Sequence, residues 1–203
     1  MEEIGLFPLG IVLLPTERVP LHIFEPRYRE LIGECLDEER EFGLVHADED
    51  GVREVGTRAR VVAVLERFDD GRLNIVVEGG DRFRTVEATG GRSFDTALVE
   101  PYEDERTRPV PPGDTARALA AFRALAKAVE AEAQEPGADS PQLSFELAGR
   151  VELPAVAKQE LLELPSERLR LRRVAALLDQ ARRLVLFERE VAARASRNGT
   201  RLH

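Results

Sequence analysis

His22, Glu25 and Arg27 are the residues whose types and spacing could do chemistry, because they place a histidine, a carboxylate and a guanidinium in one short stretch. Such a set could act as general acid and base, or bind an anion, at a turn between a strand and a helix. The alternative is structural: Glu25 and Arg27 fix the turn by hydrogen bonding and ion pairing, while His22 faces outward. We favour the structural role and expect no catalytic residue.

Metal sites and nucleophiles lack the residue spacing that they need. The three histidines, His22, His46 and His203, include no His-x-x-x-His pair. The acidic run 48–51 lacks the twelve-residue loop and terminal glutamate of an EF-hand. Cys35, the only cysteine, lies in a helical pattern, where a small packed side chain is the more frequent role. We expect no metal and no cofactor.

Charge is distributed unevenly along the 203 residues, whose net charge is −9. Residues 1–105 hold 25 acidic and 12 basic side chains, whereas 106–203 hold 13 acidic and 17 basic ones. An acidic half repels a phosphate backbone, so nucleic-acid binding by that half is disfavoured. The single cysteine suits a reducing cytoplasm, and the longest apolar run, 4–15, is interrupted and too short to span a membrane. We expect a cytoplasmic protein with no membrane role.

The first half has the composition of β-strands. Four segments rich in Val, Ile, Phe and Thr are predicted strands: 58–68, 72–78, 82–88 and 94–102. Glycine-containing turn signals separate them, at 70–71, 79–80 and 90–91. This spacing predicts an antiparallel meander that curls or closes to hide its edges. Shorter strands are predicted at 6–7, 11–14, 21–24 and 42–46, and one helix begins at Pro26, where Tyr28, Leu31, Ile32 and Cys35 recur at helical spacing.

The second half has a helical pattern. Residues 103–113 contain three prolines and a charge run, which predicts an extended linker. After it, helices are predicted at 115–134, from the cap Ser140 to about 151, from Pro154 to 164, and from the cap Ser166 to about 194. We therefore predict a β-rich domain at 1–105, a linker at 106–113 and a helical subdomain at 114–203.

Several motifs in consistent order resemble the N-terminal, substrate-binding domain of the Lon ATP-dependent proteases. The most recognisable segment, 15–28, contains the signature residues Pro20, Glu25, Pro26, Arg27 and Tyr28. Further matching segments extend the resemblance over nearly the whole chain: 6–9, 42–45, 55–61, 70–75, 78–83, 158–163 and 168–169. The resemblance implies an α+β fold, with a PUA-like antiparallel β pseudo-barrel that carries a helix and is followed by a C-terminal α-helical bundle.

Catalysis in the Lon proteases comes from an ATPase and a serine-lysine peptidase that follow this domain. The present sequence contains no Gly-x-x-x-x-Gly-Lys-Ser/Thr phosphate loop. Lys127 and Lys158 are its only lysines, and neither accompanies a serine in a catalytic pattern. We therefore expect a recognition module that is not an enzyme.

Unfolded or extended protein segments are the partners that the resemblance implies. Apolar residues beside the signature are the candidate peptide-binding site: Leu13, Leu14, Leu21, Ile23 and Phe24. An edge strand offers a second mode, in which an extended peptide pairs through its backbone. An adaptor or chaperone-like role, a protease or chaperone partner, and oligomerisation are left open.

Two alternatives from other classes remain. PUA-like folds elsewhere bind RNA, and Arg168, Arg170, Arg172 and Arg173 form a basic cluster that could contact phosphates. Whole-chain acidity and the scarcity of aromatic residues disfavour this alternative. The other alternative is a small-ligand-binding protein, or an enzyme, that uses a cleft between the two halves.

Overall fold

The structure is a computed structural model that describes residues 1–105 and 109–199, with side chains through residue 194. The chain divides into two compact units, a β-rich unit of Met1–Thr107 with Ala148–Pro165 and a helical unit of Arg108–Leu147 with Ser166–His203. The second half of the chain thus contributes a segment to the β-rich unit. Parts of the predicted linker, 106–108, and of the predicted helical subdomain, 200–203, lie outside the described residues. The predicted domain bounds stay a prediction.

Seven strands and five helices make up the described chain. In the β-rich half they are β1 (Glu2–Leu9), β2 (Arg18–Ile23), α1 (Pro26–Asp37), β3 (Phe42–Asp48), β4 (Gly51–Val52), β5 (Val55–Arg67), β6 (Leu73–Thr89) and β7 (Thr96–Pro101). The helices that follow are α2 (Pro112–Val129), α3 (Leu143–Gly149), α4 (Ala155–Glu163) and α5 (Glu167–Gly199).

Five of the strands close into a ring. Their order is β1-β7-β6-β5-β3, and a parallel pairing of β1 with β3 completes the circuit. The other pairings in the ring are antiparallel. β2 pairs with β6 outside the ring, and the short β4 pairs with β3. The ring confirms the predicted α+β fold with a PUA-like antiparallel pseudo-barrel, in which closure removes most free strand edges.

Helix α1 covers the core of the β-rich unit with the face that its spacing predicts. Pro26 occupies the first helical turn, where its missing N–H costs nothing. Tyr28 stacks on Phe7 of β1, with ring centroids 4.0 Å apart. The buried side of the helix is formed by Tyr28, Leu31, Ile32 and Cys35. These residues join one apolar cluster with the inward side chains of β2, β5 and β6.

The predicted turn at Gly79-Gly80 is wrong, because β6 runs without a break through both glycines. A Cβ added to Gly79 would lie 2.2 Å from the carbonyl oxygen of Leu14. Residues 11–14, predicted as a strand, instead form a loop that is pressed onto β6 at this point. Glycine therefore serves close backbone approach here, whereas Gly71 and Gly91 have the positive φ that the other two predicted turns require.

Arg82 joins β6 to the segment that returns from the second half of the chain. Its side chain is buried, and it donates hydrogen bonds to the carbonyl oxygens of Leu162 (2.7 Å) and Leu164 (3.1 Å) at the end of α4. It also pairs with Asp104, and its guanidinium lies 4.9 Å from the centroid of the Tyr102 ring. A buried cation at a helix C-terminus satisfies carbonyl groups that the helix itself leaves unpaired.

In the helical unit, α2 packs along α5. Asp114 in the first turn of α2 accepts hydrogen bonds from Nε of Arg168 (3.1 Å) and of Arg172 (3.0 Å). Ser166 precedes α5 as predicted, and its hydroxyl accepts a long hydrogen bond, 3.4 Å, from the Leu169 N–H. Helix α3 begins at Leu143, three residues after the predicted cap Ser140, whose hydroxyl donates to the Glu146 carboxylate and accepts a hydrogen bond, 3.3 Å, from the Gln142 N–H.

We expect Gly79→Ala to lower the free energy of unfolding by about 2 kcal/mol or more, because the Leu14 carbonyl would have to move. Gly80→Ala is the matched control, since its Cβ would meet nothing closer than 3.5 Å. Urea denaturation of both variants measures the difference. Equal stability of the two variants would contradict the close approach at Gly79.

We expect Arg82→Met to lower the free energy of unfolding by about 3 kcal/mol, because it leaves two helix-end carbonyls and Asp104 without this donor. Arg84→Met, two residues along the same strand, removes an exposed guanidinium and should cost less than about 1 kcal/mol. Urea denaturation again provides the measurement, and similar losses for the two variants would argue against the role of Arg82.

Candidate functional site

The candidate site is the face of a three-stranded sheet that points away from the core of the β-rich unit. Residues 73–78 of β6 pair with β2 on one side and with 60–67 of β5 on the other. Leu73, Ile75 and Val77 point inward and are buried, so the residues between them point outward. We call this surface the outer face, and its apolar members are Pro20, Phe24, Val62, Leu65 and Val76.

Two irregularities in β5 add apolar side chains to the outer face. The pairing register shifts between Val61 and Ala63 and again between Val64 and Glu66. Val62 and Leu65 are therefore extra residues at β-bulges, where two residues of one strand oppose a single residue of its partner. Leu65 is 63% exposed and Val62 is 37% exposed. An apolar side chain this open gains free energy when a partner covers it.

Phe24 stands at the end of the outer face, directly after β2. It is 60% exposed, and its ring stacks on His22 with centroids 5.9 Å apart. His22 in turn meets the edge of Phe68 at 6.0 Å, and the Arg72 guanidinium lies over the Phe68 ring at 4.9 Å. These contacts place the exposed Phe24 ring beside the rings of His22 and Phe68.

Polar groups border the outer face at both ends. At one end Glu78 accepts hydrogen bonds from Arg18 and Arg60, both at 2.6 Å, and these bonds hold its pKa below the usual range. At the other end Nδ1–H of His22 donates to Oδ1 of Asn74 at 2.6 Å. Nδ2 of Asn74 donates to Glu66 at 2.9 Å. An apolar centre within a polar rim is the usual anatomy of a protein-binding surface.

The five predicted peptide-binding residues do not share one environment. Leu13, Leu14 and Ile23 are 1%, 0% and 1% exposed, because the 11–14 loop and the inward side of β2 form core. We correct the assignment by removing these three from the candidate surface, since a buried side chain cannot touch a client. Leu21 is half-buried at the sheet edge and Phe24 is exposed. Peptide binding at these two stays a prediction.

The signature residues build a corner between β2 and α1. Nε of Arg27 donates to Glu25 at 3.0 Å, and the Arg27 guanidinium lies over the Tyr28 ring at 4.4 Å. Burial is the main cause that raises the pKa of Tyr28. His22 bonds to Asn74, so the three polar residues His22, Glu25 and Arg27 do not meet as one site. Pro20 lies in β2 and Pro26 begins α1.

Side chains that could act as nucleophiles are either paired with a carboxylate or buried. Lys158 forms an ion pair with Glu17. The Ser144 hydroxyl donates to Glu167 at 2.6 Å but has no exposed surface. Burial raises the pKa of the Cys35 thiol to about 11, with the charge of Glu34 as a second cause. Among the described residues there is also no group of His, Cys, Asp or Glu side chains that could hold a metal ion.

The arginine cluster of the last helix makes contacts within its own unit. Arg168 and Arg172 share Asp114, whose pKa is lowered first by the hydrogen bond from Arg172. Arg170 is buried, pairs with Glu167 and lies over the Phe145 ring at 4.5 Å. Guanidinium groups that already bind carboxylates have fewer free donors and less unpaired positive charge for a phosphate backbone. RNA binding here stays an untested alternative.

One apolar residue of the outer face is visible in the sequence as an exception to the alternation of its strand. Val76 is apolar at an outward position of an otherwise alternating strand. Val62 and Leu65 were missed because each bulge interrupts the alternation by one residue, and bulges have no strong local sequence signature. Their exposure follows only from the pairing with β6.

The described residues form a β pseudo-barrel module whose outer face combines exposed apolar side chains with a polar rim. A sequence model described as the ATP-dependent protease La (LON) substrate-binding domain matches residues 3–180. The chain belongs to this family. A search for membrane spans finds no helix in the described part of the chain that is long and apolar enough to cross a bilayer.

Individual relatives agree with the family. A Lon protease of Anaeromyxobacter dehalogenans (strain 2CP-C) is 27% identical over a match that covers 89% of this chain and 23% of the relative. The chain thus spans about a quarter of the length of that protease.

Two solved structures share the fold. One is a Lon N-terminal domain protein from Xanthomonas campestris, at 24% identity, and the other is the N-terminal domain of Mycobacterium avium complex Lon protease, at 20%. Each match has a TM-score of 0.67 and covers 87% of this chain and 98% of the other.

We expect the Cys35 thiol to react with iodoacetamide at pH 8 roughly a hundredfold or more slowly than free cysteine, because its raised pKa keeps it protonated. The rate should increase as the pH approaches 11. Mass spectrometry of timed samples measures alkylation, and the same reaction in guanidinium chloride is the control. Equal rates in the native and the unfolded protein would contradict the burial of this thiol.

Proposed function

We propose that this chain is a non-catalytic protein-recognition module that binds exposed apolar segments of partly unfolded client proteins. The observation that carries the proposal is the outer face, where Phe24 and Leu65 are open on a rigid sheet with a polar rim. The family description as a substrate-binding domain supports the same class of ligand. An adaptor or a holding-chaperone role follows if clients are bound and released without cleavage.

The outer face suits a broad range of clients. Its apolar members are few and separated by polar neighbours, so each contact contributes modestly and no deep pocket selects one side chain. A weak and tolerant surface can sample many unfolded segments, whereas a large apolar patch would risk aggregation. We expect individual affinities in the micromolar range or weaker, which corresponds to about −8 kcal/mol or less favourable.

Titration with a permanently unfolded protein, reduced and carboxymethylated lactalbumin, tests the proposal. We expect Phe24→Ser and Leu65→Ser each to weaken binding about fivefold to tenfold, since each removes about 1 kcal/mol of apolar burial or somewhat more. Val156→Ser is the matched control, because Val156 is 71% exposed on α4 and not part of the outer face. Fluorescence anisotropy of the labelled client provides the measurement.

Three outcomes decide the matter. Loss of affinity in the two outer-face variants and not in Val156→Ser supports the proposal. No measurable binding to the unfolded client, or equal effects of all three substitutions, would overturn it. Circular dichroism of each variant confirms that the fold is retained, and we expect it to be, because all three side chains are largely exposed.

A further inference from the structure

We propose that the free edge of β2 binds a client segment as an added β-strand, and that Pro20 limits the strength of this pairing. The inference rests on the proposed function and specifies the ligand: an extended backbone with free N–H groups, not a helix and not isolated side chains.

β2 is an edge strand of the outer-face sheet. Its register runs from Arg18 opposite Glu78 to Ile23 opposite Leu73, and β6 is its only partner strand in the described chain. The opposite side of β2 has no partner strand in the described chain, and Arg18, Pro20 and His22 are exposed. Such an edge is a template for another extended chain, because each unpaired N–H and C=O gains a hydrogen bond on pairing.

The direction of the backbone groups follows from the start of β2. The Gly79 N–H donates to the carbonyl oxygen of Glu17 at 2.9 Å, so the Glu17 carbonyl points to β6. In an antiparallel pair the backbone N–H and C=O groups of every second residue point to the partner strand. Those of Val19, Leu21 and Ile23 therefore point to β6. The backbone groups of Arg18, Pro20 and His22 consequently point to the free edge. No hydrogen bond within the described chain uses them.

Pro20 lies at the centre of this free edge and has no N–H. The edge therefore offers three carbonyl oxygens but only two donors, at Arg18 and His22. A client strand opposite Pro20 leaves one of its own carbonyls unpaired, which weakens the pairing and also disfavours pairing between two copies of this edge. Proline at an edge is a common safeguard against uncontrolled strand addition.

Side chains on both sides of the edge favour an apolar client. Pro20, His22 and Phe24 stand on the outer face, whereas Val19 and Leu21 are half-buried on the inward side. An added strand would place alternate side chains against each of these two sets. The ligand is therefore an extended segment rich in β-branched residues, whose methyl groups can contact both sets.

The first test uses a short peptide of alternating valine and threonine with terminal lysines, and two versions of it that are N-methylated at alternate amides. One version is methylated at the valines and the other at the threonines. We expect one version to bind about tenfold more weakly and the other to bind like the parent, because only alternate amides face the edge. Fluorescence anisotropy measures all three.

The second test supplies the missing donor. We expect Pro20→Ala and Pro20→Val each to bind the parent peptide about fivefold more tightly, since each adds one backbone hydrogen bond. A gain in Pro20→Val alone would assign the effect to its side chain and would overturn the role of the N–H. Self-association of the variants in sedimentation velocity without any gain for the peptide would overturn the assignment to clients.

Failure of this inference can be distinguished from failure of the proposed function. If the parent peptide does not bind, or if both methylated versions bind like the parent, backbone pairing is overturned. The proposed function still stands in that case if Phe24→Ser weakens binding of unfolded lactalbumin. If the unfolded protein does not bind at all, the proposed function fails first.

Discussion

The Leu14 carbonyl approaches Gly79 closely at the point where β6 passes from its pairing with β2 to its pairing with β7. Residues 73–78 of β6 pair with β2 and with the far part of β5, outside the ring. Residues 83–89 pair with β7, and 82–84 pair with the start of β5 inside the ring. A side chain at Gly79 would push the 11–14 loop away and separate the two parts. The outer face exists because β6 continues past this point.

Arg82 has the corresponding role for the segment from the second half of the chain. It supplies the charge that the carbonyl groups at the end of α4 need, and it pairs with Asp104. Glu25 and Arg27 of the signature segment likewise form an ion pair, at the corner before α1. Many motif residues thus build the fold. Of the candidate binding groups, Pro20 and Phe24 lie in the signature segment, whereas Val62, Leu65 and Val76 lie outside the motifs.

The candidate surface combines a rigid support with weak individual contacts. Its strands are held from below by the α1 core, and its ends are held by the Arg18–Glu78–Arg60 and His22–Asn74–Glu66 interactions. Rigidity reduces the entropy that binding costs, and the small number of apolar side chains keeps the surface tolerant. Pro20 adds a limit on backbone pairing at the same place, so affinity and safety against aggregation are balanced within one strand.

Periodicity and turn chemistry in the sequence determined the α1 helix, most strands, the turns at Gly71 and Gly91, and the helical character of the second half. These are local properties, because the spacing of apolar residues and the backbone freedom of glycine act within a few residues. Tertiary structure alone decided that Gly79 lies within a strand, that Leu13, Leu14 and Ile23 are core, and that Val62 and Leu65 are exposed. Each of these depends on a neighbour distant in sequence, such as the Leu14 loop over β6 or the bulged pairing of β5, and apolar composition by itself cannot say which side of a strand faces water.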